Sequence, residues 1–231
     1  MTTPWVRAEW RARIAAEYGS AALTQHLVLW LMQIGAPPDL LDAGLAIVAD
    51  ELAHSRLSHE VYVAAGGTEP PALDAAGLAL TRAGDDLLDD ILRVAVRVFC
   101  LGETVAVPLF AHLRAPCREP VARAALDRII RDEVRHRDFG WDLLDWVAVV
   151  RPGLAPRVAS WLPRMFGELR ASYGDLNPTV LADDGSIGDI DRAWGLAPPR
   201  EYAEILTRSL ARDLAPRFAA RGIALPTASP A

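Results

Sequence analysis

The chain has 231 residues, a hydrophobic fraction of 52% and a formal net charge of −6. All 24 basic residues are arginine, which excludes lysine Schiff-base chemistry and a Walker-type phosphate loop. The two cysteines form no Cys-x-x-Cys pair, so neither a rubredoxin-type iron site nor a disulfide framework is expected. The negative charge also argues against a nucleic-acid partner.

Helical periodicity runs through most of the chain and no series of alternating strands is visible, so we expect an all-α fold. Proline and glycine breaks separate four long predicted helices, at about residues 4–33, 39–65, 85–113 and 120–150. At ~3.3 Å per residue, the link between the second and third helices can span the whole length of a bundle. We therefore expect helix three to run parallel to helix two.

The chain after Val150 is interrupted by Pro152, Pro156 and Pro163. We expect residues 1–150 to form one bundle and residues 151–231 to form a helical extension packed on it. The extension is predicted to contain a shorter helix ending near Tyr173, an irregular segment at 174–198 with a solvated acidic turn at 183–185, and a final helix at 200–221.

Two copies of an Asp-Glu-x-x-His motif lie on the second and fourth predicted helices, as Asp50-Glu51-Leu52-Ala53-His54 and Asp132-Glu133-Val134-Arg135-His136. Side chains at i and i+3 project from one helix face, which lets one carboxylate and one imidazole hold the same metal ion. With 11 Glu and 5 His, random placement gives about a quarter of one Glu-x-x-His match. The two copies therefore indicate a metal site.

A single glutamate interrupts the apolar stripe of each remaining long helix, Glu17 on the first and Glu103 on the third. An isolated glutamate on an apolar helix face more often lies at the edge of that face, with its carboxylate in solvent. The positions of Glu17 and Glu103 favour another role. In each predicted hairpin, the single glutamate and the motif glutamate lie at similar distances from the turn, and hence at similar height. The predicted metal ligands are Glu17, Glu51, His54, Glu103, Glu133 and His136. Four carboxylates and two imidazoles suit two divalent ions, with iron or manganese preferred by ligand type over zinc.

At these six positions the chain resembles the ferritin-like di-iron carboxylate superfamily, over about residues 8–147. The motif at 132–136 is also similar to that of bacterial hydrocarbon monooxygenases and tRNA-modifying hydroxylases. Gly102-Glu103-Thr104 and Asp50-Glu51 are similar to small bacterial proteins called simply ferritin-like. The resemblance implies a ferritin-like four-helix bundle with two iron ions. It also implies O₂-dependent oxygenase or oxidase activity on a small organic substrate, by hydroxylation, N-oxygenation, desaturation or oxidative cleavage.

Several other functions stay open. A ferroxidase or iron-storage protein shares the bundle, although ferritins proper lack a full Glu-x-x-His on their fourth helix. A manganese catalase-like enzyme shares much of the ligand set, and a tRNA hydroxylase fits the negative charge less well. A helical protein with a vestigial or structural polar cluster is the remaining alternative.

Asp50 and Asp132 each precede the motif histidine by four residues and could accept its free N–H, from the same helix or the opposite one. Arg135 is interpreted either as a partner of the opposing aspartate or as a plain surface arginine. No flavin or iron–sulfur motif is visible, so the electrons are expected from a separate reductase or from the substrate. Without a secretory signal or an 18-residue apolar run, we expect a cytoplasmic protein with no membrane partner. A homodimer is left open.

Overall fold

The computed structural model describes residues 2–173 and 187–225. Within these residues the chain is helical and contains no strand, which confirms the all-α prediction. The four long helices are α1 (Pro4–Gln33), α2 (Pro38–Ala64), α3 (Leu87–Arg114) and α4 (Pro120–Val150). Their ends lie within two residues of the predicted ends.

Local sequence signals explain where these helices begin. The Thr3 side chain caps α1 by accepting a hydrogen bond from the Val6 amide, and a proline occupies the first turn of α1, α2 and α4. The Asp86 carboxylate caps α3 by accepting a hydrogen bond from the Leu88 amide at 3.0 Å.

The middle of α3 differs from the predicted regular helix. Ala95–Glu103 is a π-helical segment, in which each turn holds more residues than an α-helical turn. Opposite it, a Cβ atom added to Gly140 of α4 would lie 2.4 Å from the Phe99 Cβ, and the Cys100 thiol donates to the Gly140 carbonyl oxygen at 3.2 Å. The missing side chain of Gly140 thus lets α4 approach the π-helical segment closely. Pro108 is accommodated further along α3.

Two apolar clusters occupy opposite ends of the four long helices. The first cluster contains Leu31 of α1, Leu40 of α2, Ile91 of α3 and Val147 of α4. The second contains Trp10 of α1, Val61 of α2, Leu113 of α3 and Leu126 of α4. The first residues of α2 and of α3 lie at the same end, so these two helices run parallel, while α1 and α4 run the opposite way. The link between α2 and α3 therefore crosses from one end to the other.

The C-terminal part of the chain is more helical than predicted. It comprises α5 (Ala155–Tyr173), α6 (Asp189–Ala193) and α7 (Pro199–Ser209), which continues through a π-helical turn (Leu210–Leu214) into Ala215–Ala219. The prediction of an irregular segment at 174–198 is wrong at α6. The single predicted helix at 200–221 is interrupted by the π-helical turn, and Pro163 lies inside α5 instead of ending a helix. The acidic turn at 183–185 lies outside the described residues.

The C-terminal helices share the interior of the long helices. Leu162 of α5, Leu206 of α7 and Phe218 belong to the first apolar cluster, and Ile205 belongs to the second. The Trp10 indole N–H donates to the Trp194 carbonyl oxygen at 3.0 Å and ties the segment after α6 to α1. The boundary expected near residue 150 stays a prediction.

The helix α3 is long and apolar enough to cross a membrane by length and composition. The core helix of a soluble protein has the same composition, and 56% of the most apolar window of α3 is buried against the rest of the chain. Within the described residues it is the one helix with this property.

Candidate metal centre

The six predicted ligands meet between the two apolar clusters, where each of the four long helices contributes at least one of them. Glu51, His54, Glu133 and His136 are at most 2% exposed, and Glu17 is 8% exposed. Glu103 ends the π-helical segment and is half-buried. Ligand atoms of Glu17, Glu51, His54 and Glu133 lie within 4.8 Å of one another, and so do those of Glu51, Glu103 and His136. The structure thus brings all six residues together, in two groups that share Glu51.

Both motif glutamates lie between the two motif histidines. Glu51 directs Oε2 toward Nδ1 of His54 at 3.7 Å and Oε1 toward Nδ1 of His136 at 3.2 Å. Glu133 directs Oε1 toward Nδ1 of His54 at 3.8 Å and Oε2 toward Nδ1 of His136 at 3.5 Å. Each of the two carboxylates therefore directs one oxygen toward each motif histidine.

Several buried polar atoms of this centre have no hydrogen-bond partner: Glu51 Oε2, His54 Nδ1, Glu133 Oε2 and His136 Nδ1. A buried polar group without a partner is costly, and such groups usually have a hydrogen-bond partner or a bound ion. Here the unpartnered atoms face one another and consist of carboxylate oxygens and imidazole nitrogens, which are metal-ligating atoms. The residues present therefore fit a bound metal ion, and this buried group could hold one.

The charges of the centre perturb one another strongly. Burial raises the pKa of Glu17 and of Glu103, and the neighbouring carboxylates Glu51 and Glu133 add to the rise. Burial alone would lower the pKa of His136, but the Glu133 and Glu51 carboxylates raise it to about 10. The pKa of His54 is raised in the same way, mainly by Glu51. Protons thus offset part of the negative charge of four clustered carboxylates when no metal ion is present.

The two aspartates that precede the motif glutamates bind the histidines of the opposite motif. The His54 Nε2 lies 3.2 Å from Asp132 Oδ2, and the His136 Nε2 lies 3.4 Å from Asp50 Oδ2. With Nε2–H donated to an aspartate, the Nδ1 lone pair of each imidazole faces the carboxylates of the centre. The aspartates therefore select the tautomer in which both histidines can act as ligands.

Two arginines of α4 join these aspartates from outside. The Arg135 Nη2 donates to Asp50 Oδ2 at 2.7 Å and to Asp132 Oδ1 at 3.0 Å. Arg128 makes the same pair of contacts, through Nε to Asp132 and through Nη2 to Asp50 Oδ1 at 3.2 Å. Burial raises the pKa of Asp132, but Arg128 and His54 outweigh this and lower it. Asp132 is thereby held as an anion, and the two arginines fix both aspartates where they can accept from the histidines.

Sequence reasoning missed Arg128. Its position four residues before Asp132 is the common spacing of an ion pair on a helix surface, and its side chain is 41% exposed. The contact with Asp50 on α2, which joins the two hairpins, depends on tertiary packing and has no local signal.

A cavity of about 470 Å³ adjoins the centre. Four of the six predicted ligands line it, namely Glu17, Glu51, Glu103 and Glu133. Apolar side chains form much of the remaining wall: Ala106, Leu109 and Phe110 of α3, with Met165 and Leu169 of α5. The C-terminal extension thus covers a space that gives direct access to the carboxylates.

Three further histidines lie away from the centre. His26 accepts a hydrogen bond from the Leu80 amide at 3.1 Å, His112 contacts Glu201 at 2.6 Å, and His59 is exposed. None belongs to a group of ligand atoms within the described residues. These positions agree with the interpretation that they are surface or satisfied histidines.

Comparisons with known proteins returned nothing: no protein-family model, no curated protein and no solved structure matches this chain.

Proposed function

We propose that this chain is a ferritin-like di-iron carboxylate protein that uses O₂ to oxidise a small organic substrate. The observation that carries the proposal is the convergence of the six ligand residues, five of them buried, beside a cavity whose wall contains their four carboxylates. The parallel arrangement of α2 and α3 also agrees with a four-helix bundle that has a long crossover.

The ligand set favours iron, with manganese as the nearest competitor. Two groups that share Glu51 provide carboxylate oxygens in excess over imidazole nitrogens, and they contain no thiolate. Hard oxygen ligands with a few imidazoles suit divalent iron and manganese, whereas the two buried cysteines of this chain lie elsewhere. Glu17, Glu51, His54 and Glu133 would hold one ion, and Glu51, Glu103 and His136 would hold the other.

A pair of ferrous ions supplies two electrons for the reduction of O₂, and this is the chemistry that the protein has to direct. The chain itself fixes the ligands through Asp50 and Asp132, which orient the histidines from the side away from the cavity. The apolar clusters above and below the centre keep bulk water away from it. Glu17 and Glu103 place their carboxylates in the cavity wall, so a ligand in the cavity lies directly beside the centre.

The cavity supports a small-molecule substrate over iron storage. Its volume of about 470 Å³ is that of an ordinary small-ligand site, and its wall places charged groups, six of them glutamates, beside a continuous set of apolar side chains. A storage protein needs a route for many ions, for which the apolar side chains of α3 and α5 in this wall give no advantage. The wall formed by Leu109, Phe110 and Met165 suits an organic molecule.

The proposal is tested by metal analysis followed by rapid mixing. Full-length protein is purified anaerobically, loaded with Fe(II), and mixed with O₂ while absorbance and O₂ consumption are recorded. We expect two irons per chain, a transient visible absorbance band, and consumption of O₂ that stops without ferric mineral growth. A parallel sample loaded with Mn(II) is tested for hydrogen peroxide disproportionation.

Each other outcome contradicts the proposal in a specific way. Continued accumulation of ferric iron far beyond two ions per chain indicates storage. Rapid peroxide disproportionation by the manganese form, together with inert iron protein, indicates a catalase. Failure to bind either metal leaves a helical protein with a structural polar cluster.

A further inference from the structure

The cavity beside the centre contains a buried cation that the proposed metal chemistry does not use. Arg13 lies on α1, one helical turn before Glu17, and lines the cavity. Its residue exposure is only 7%. An arginine buried this deeply beside an apolar wall needs an explanation, because a buried guanidinium is normally fully paired.

The hydrogen bonds of Arg13 leave one nitrogen without a partner. Its Nε donates to Glu9 Oε1 at 3.1 Å, and its Nη2 donates to the Gly195 carbonyl oxygen at 3.2 Å. Its Nη1 is buried and has no hydrogen-bond partner. A buried charged donor has lost its hydration, so leaving it without an acceptor costs free energy. An acceptor supplied by a ligand would remove that cost.

Aromatic rings flank the guanidinium and restrict how a ligand can reach it. The Arg13 Cζ lies 4.5 Å from the ring centroid of Trp10 and 5.7 Å from that of Phe110. Since Glu9 and Gly195 take Nε and Nη2, the edge that is left for an acceptor is the one that carries Nη1. Tyr202 lines the same part of the cavity, and burial raises the pKa of its phenol, so it stays a neutral hydroxyl.

Four of the six glutamates in the cavity wall are the proposed metal ligands, so the remaining charges that a ligand meets near Arg13 are those of Glu9, Glu168 and Arg97. Glu168 in the wall is paired with Arg164 at 2.8 Å, and the Glu9 side chain is 37% exposed and therefore partly screened by water. Arg97 adds a second positive charge to the wall and, among the described residues, has no carboxylate at ion-pair distance. A carboxylate accepts charge-assisted hydrogen bonds from a guanidinium edge, and these are stronger than hydrogen bonds to a neutral acceptor.

We propose that Arg13 binds the carboxylate of a small, largely apolar organic acid, which is the substrate class of this cavity. The identification of this acid as a substrate rests on the proposed function, whereas its binding at Arg13 does not. Arg13 and Glu17 are four residues apart on one helix, so a carboxylate held at Arg13 leaves the apolar body of the acid to extend along the cavity wall toward the glutamates, over a rise of ~6 Å.

The test compares acids with amides of the same shape. Metal-free and Zn(II)-loaded full-length protein are titrated calorimetrically with octanoate and octanamide, and with 4-phenylbutyrate and its amide. We expect at least one acid to bind about tenfold or more tightly than its amide, because the amide offers no charge to Arg13. Arg13→Met should abolish that preference, and Arg13→Lys should retain part of it.

The matched control is Arg11→Met, which removes a partly exposed arginine of α1 that pairs with Glu69 outside the cavity. It should leave the acid preference unchanged. Circular dichroism checks that each variant is folded; if Arg13→Met is not, the wild-type acid preference and its reduction in Arg13→Lys decide the question.

Three results would overturn the inference. One is equal affinity for every acid and its amide in both forms of the protein. Another is an acid preference that survives in folded Arg13→Met. The third is a preference seen only with Zn(II) and indifferent to Arg13, which would mean that the acid binds the metal ions. Oxygen consumption by the iron form is measured separately. If acid binding depends on Arg13 but the iron form consumes no O₂, only the proposed oxidation is refuted.

Discussion

Asp132 accepts a hydrogen bond from Nε2 of His54 at 3.2 Å, although His54 belongs to the other motif and lies on another helix. Asp50 does the same for His136 at 3.4 Å. Each motif therefore supplies a glutamate and a histidine to the centre, and its aspartate orients the histidine of the other motif.

Removing one of these aspartates should weaken metal binding without removing a ligand. For Asp132→Asn we expect about a tenfold or greater loss of affinity for one metal ion, because His54 loses the anion that fixes its tautomer. Isothermal titration calorimetry of the metal-free protein with Mn(II) measures this affinity. Asp127→Asn, which changes an exposed aspartate of α4 paired with Arg114, should leave the affinity unchanged. Equal affinities for Asp132→Asn and wild type would contradict the orienting role.

Alanine variants of the ligands should differ in the number of metal ions that they lose. Glu51 belongs to both groups, so Glu51→Ala should lose both ions, whereas His54→Ala should keep one ion per chain. Elemental analysis after gel filtration gives the counts. The control is Glu60→Ala, an exposed glutamate of α2. Full retention of two ions in folded His54→Ala would show that the ligand assignment is wrong.

Metal binding should stabilise the fold, because it provides partners for polar atoms that are buried and unpaired. A ligand present at a hundred times its Kd and bound by the folded state alone adds about 2.7 kcal/mol to the free energy of unfolding. For a chain of this size that corresponds to a rise in Tm of roughly 5–10 °C. Differential scanning calorimetry with Mn(II) and with chelator measures the shift, which should be absent in Glu51→Ala.

The close approach of α4 to the π-helical segment makes Gly140 sensitive to a single added methyl group. A Cβ atom there would lie 2.4 Å from the Phe99 Cβ and 2.8 Å from the Phe99 carbonyl carbon. We expect Gly140→Ala to lower the free energy of unfolding by about 1–3 kcal/mol, as overpacking does. Gly19→Ala in α1 is the matched control. Its Cβ meets nothing within 4 Å, so it should raise the stability by up to about 1 kcal/mol. Urea unfolding compares them.

Glu201 should make folding stability depend on acid. Arg192 and His112 contact its carboxylate and lower its pKa from 4.5 to about 2. A group with a depressed pKa stabilises the folded state fully above pH 4.5, and this contribution is lost as the pH falls toward 2. Urea unfolding should therefore find Glu201→Gln less stable than wild type at pH 6, with a smaller difference at pH 3. A difference that does not shrink in acid would contradict this role.

The ligands could be predicted from the sequence because each is marked by a local anomaly. A glutamate in an apolar stripe and a Glu-x-x-His motif are visible at helical spacing, and the distances of Glu17, Glu51, Glu103 and Glu133 from the turns place them at one height. Elements defined by long-range contacts could not be found in this way. The crossed aspartate contacts, Arg128 and the unpaired edge of Arg13 all depend on which helices become neighbours.

The π-helical segment and the C-terminal part were missed for related reasons. Periodicity assumes 3.6 residues per turn, and the Ala95–Glu103 segment departs from it at the place where α4 packs closely against it through Gly140. Pro163 is tolerated within α5, and the short helix Asp189–Ala193 has too few residues for a periodic pattern. The packing of α5 over the cavity, through Met165 and Leu169, is a tertiary property.

The crossed contacts also constrain the order of events during folding. His54 meets its aspartate across 78 residues of chain, and His136 meets its own across 86. Neither hairpin can orient its histidine before the other has docked, so a half-folded chain holds glutamates and imidazoles that are free to rotate. Under the proposed function, tight metal capture would follow hairpin docking, and a nascent chain would acquire a high-affinity site only after both halves have been synthesised.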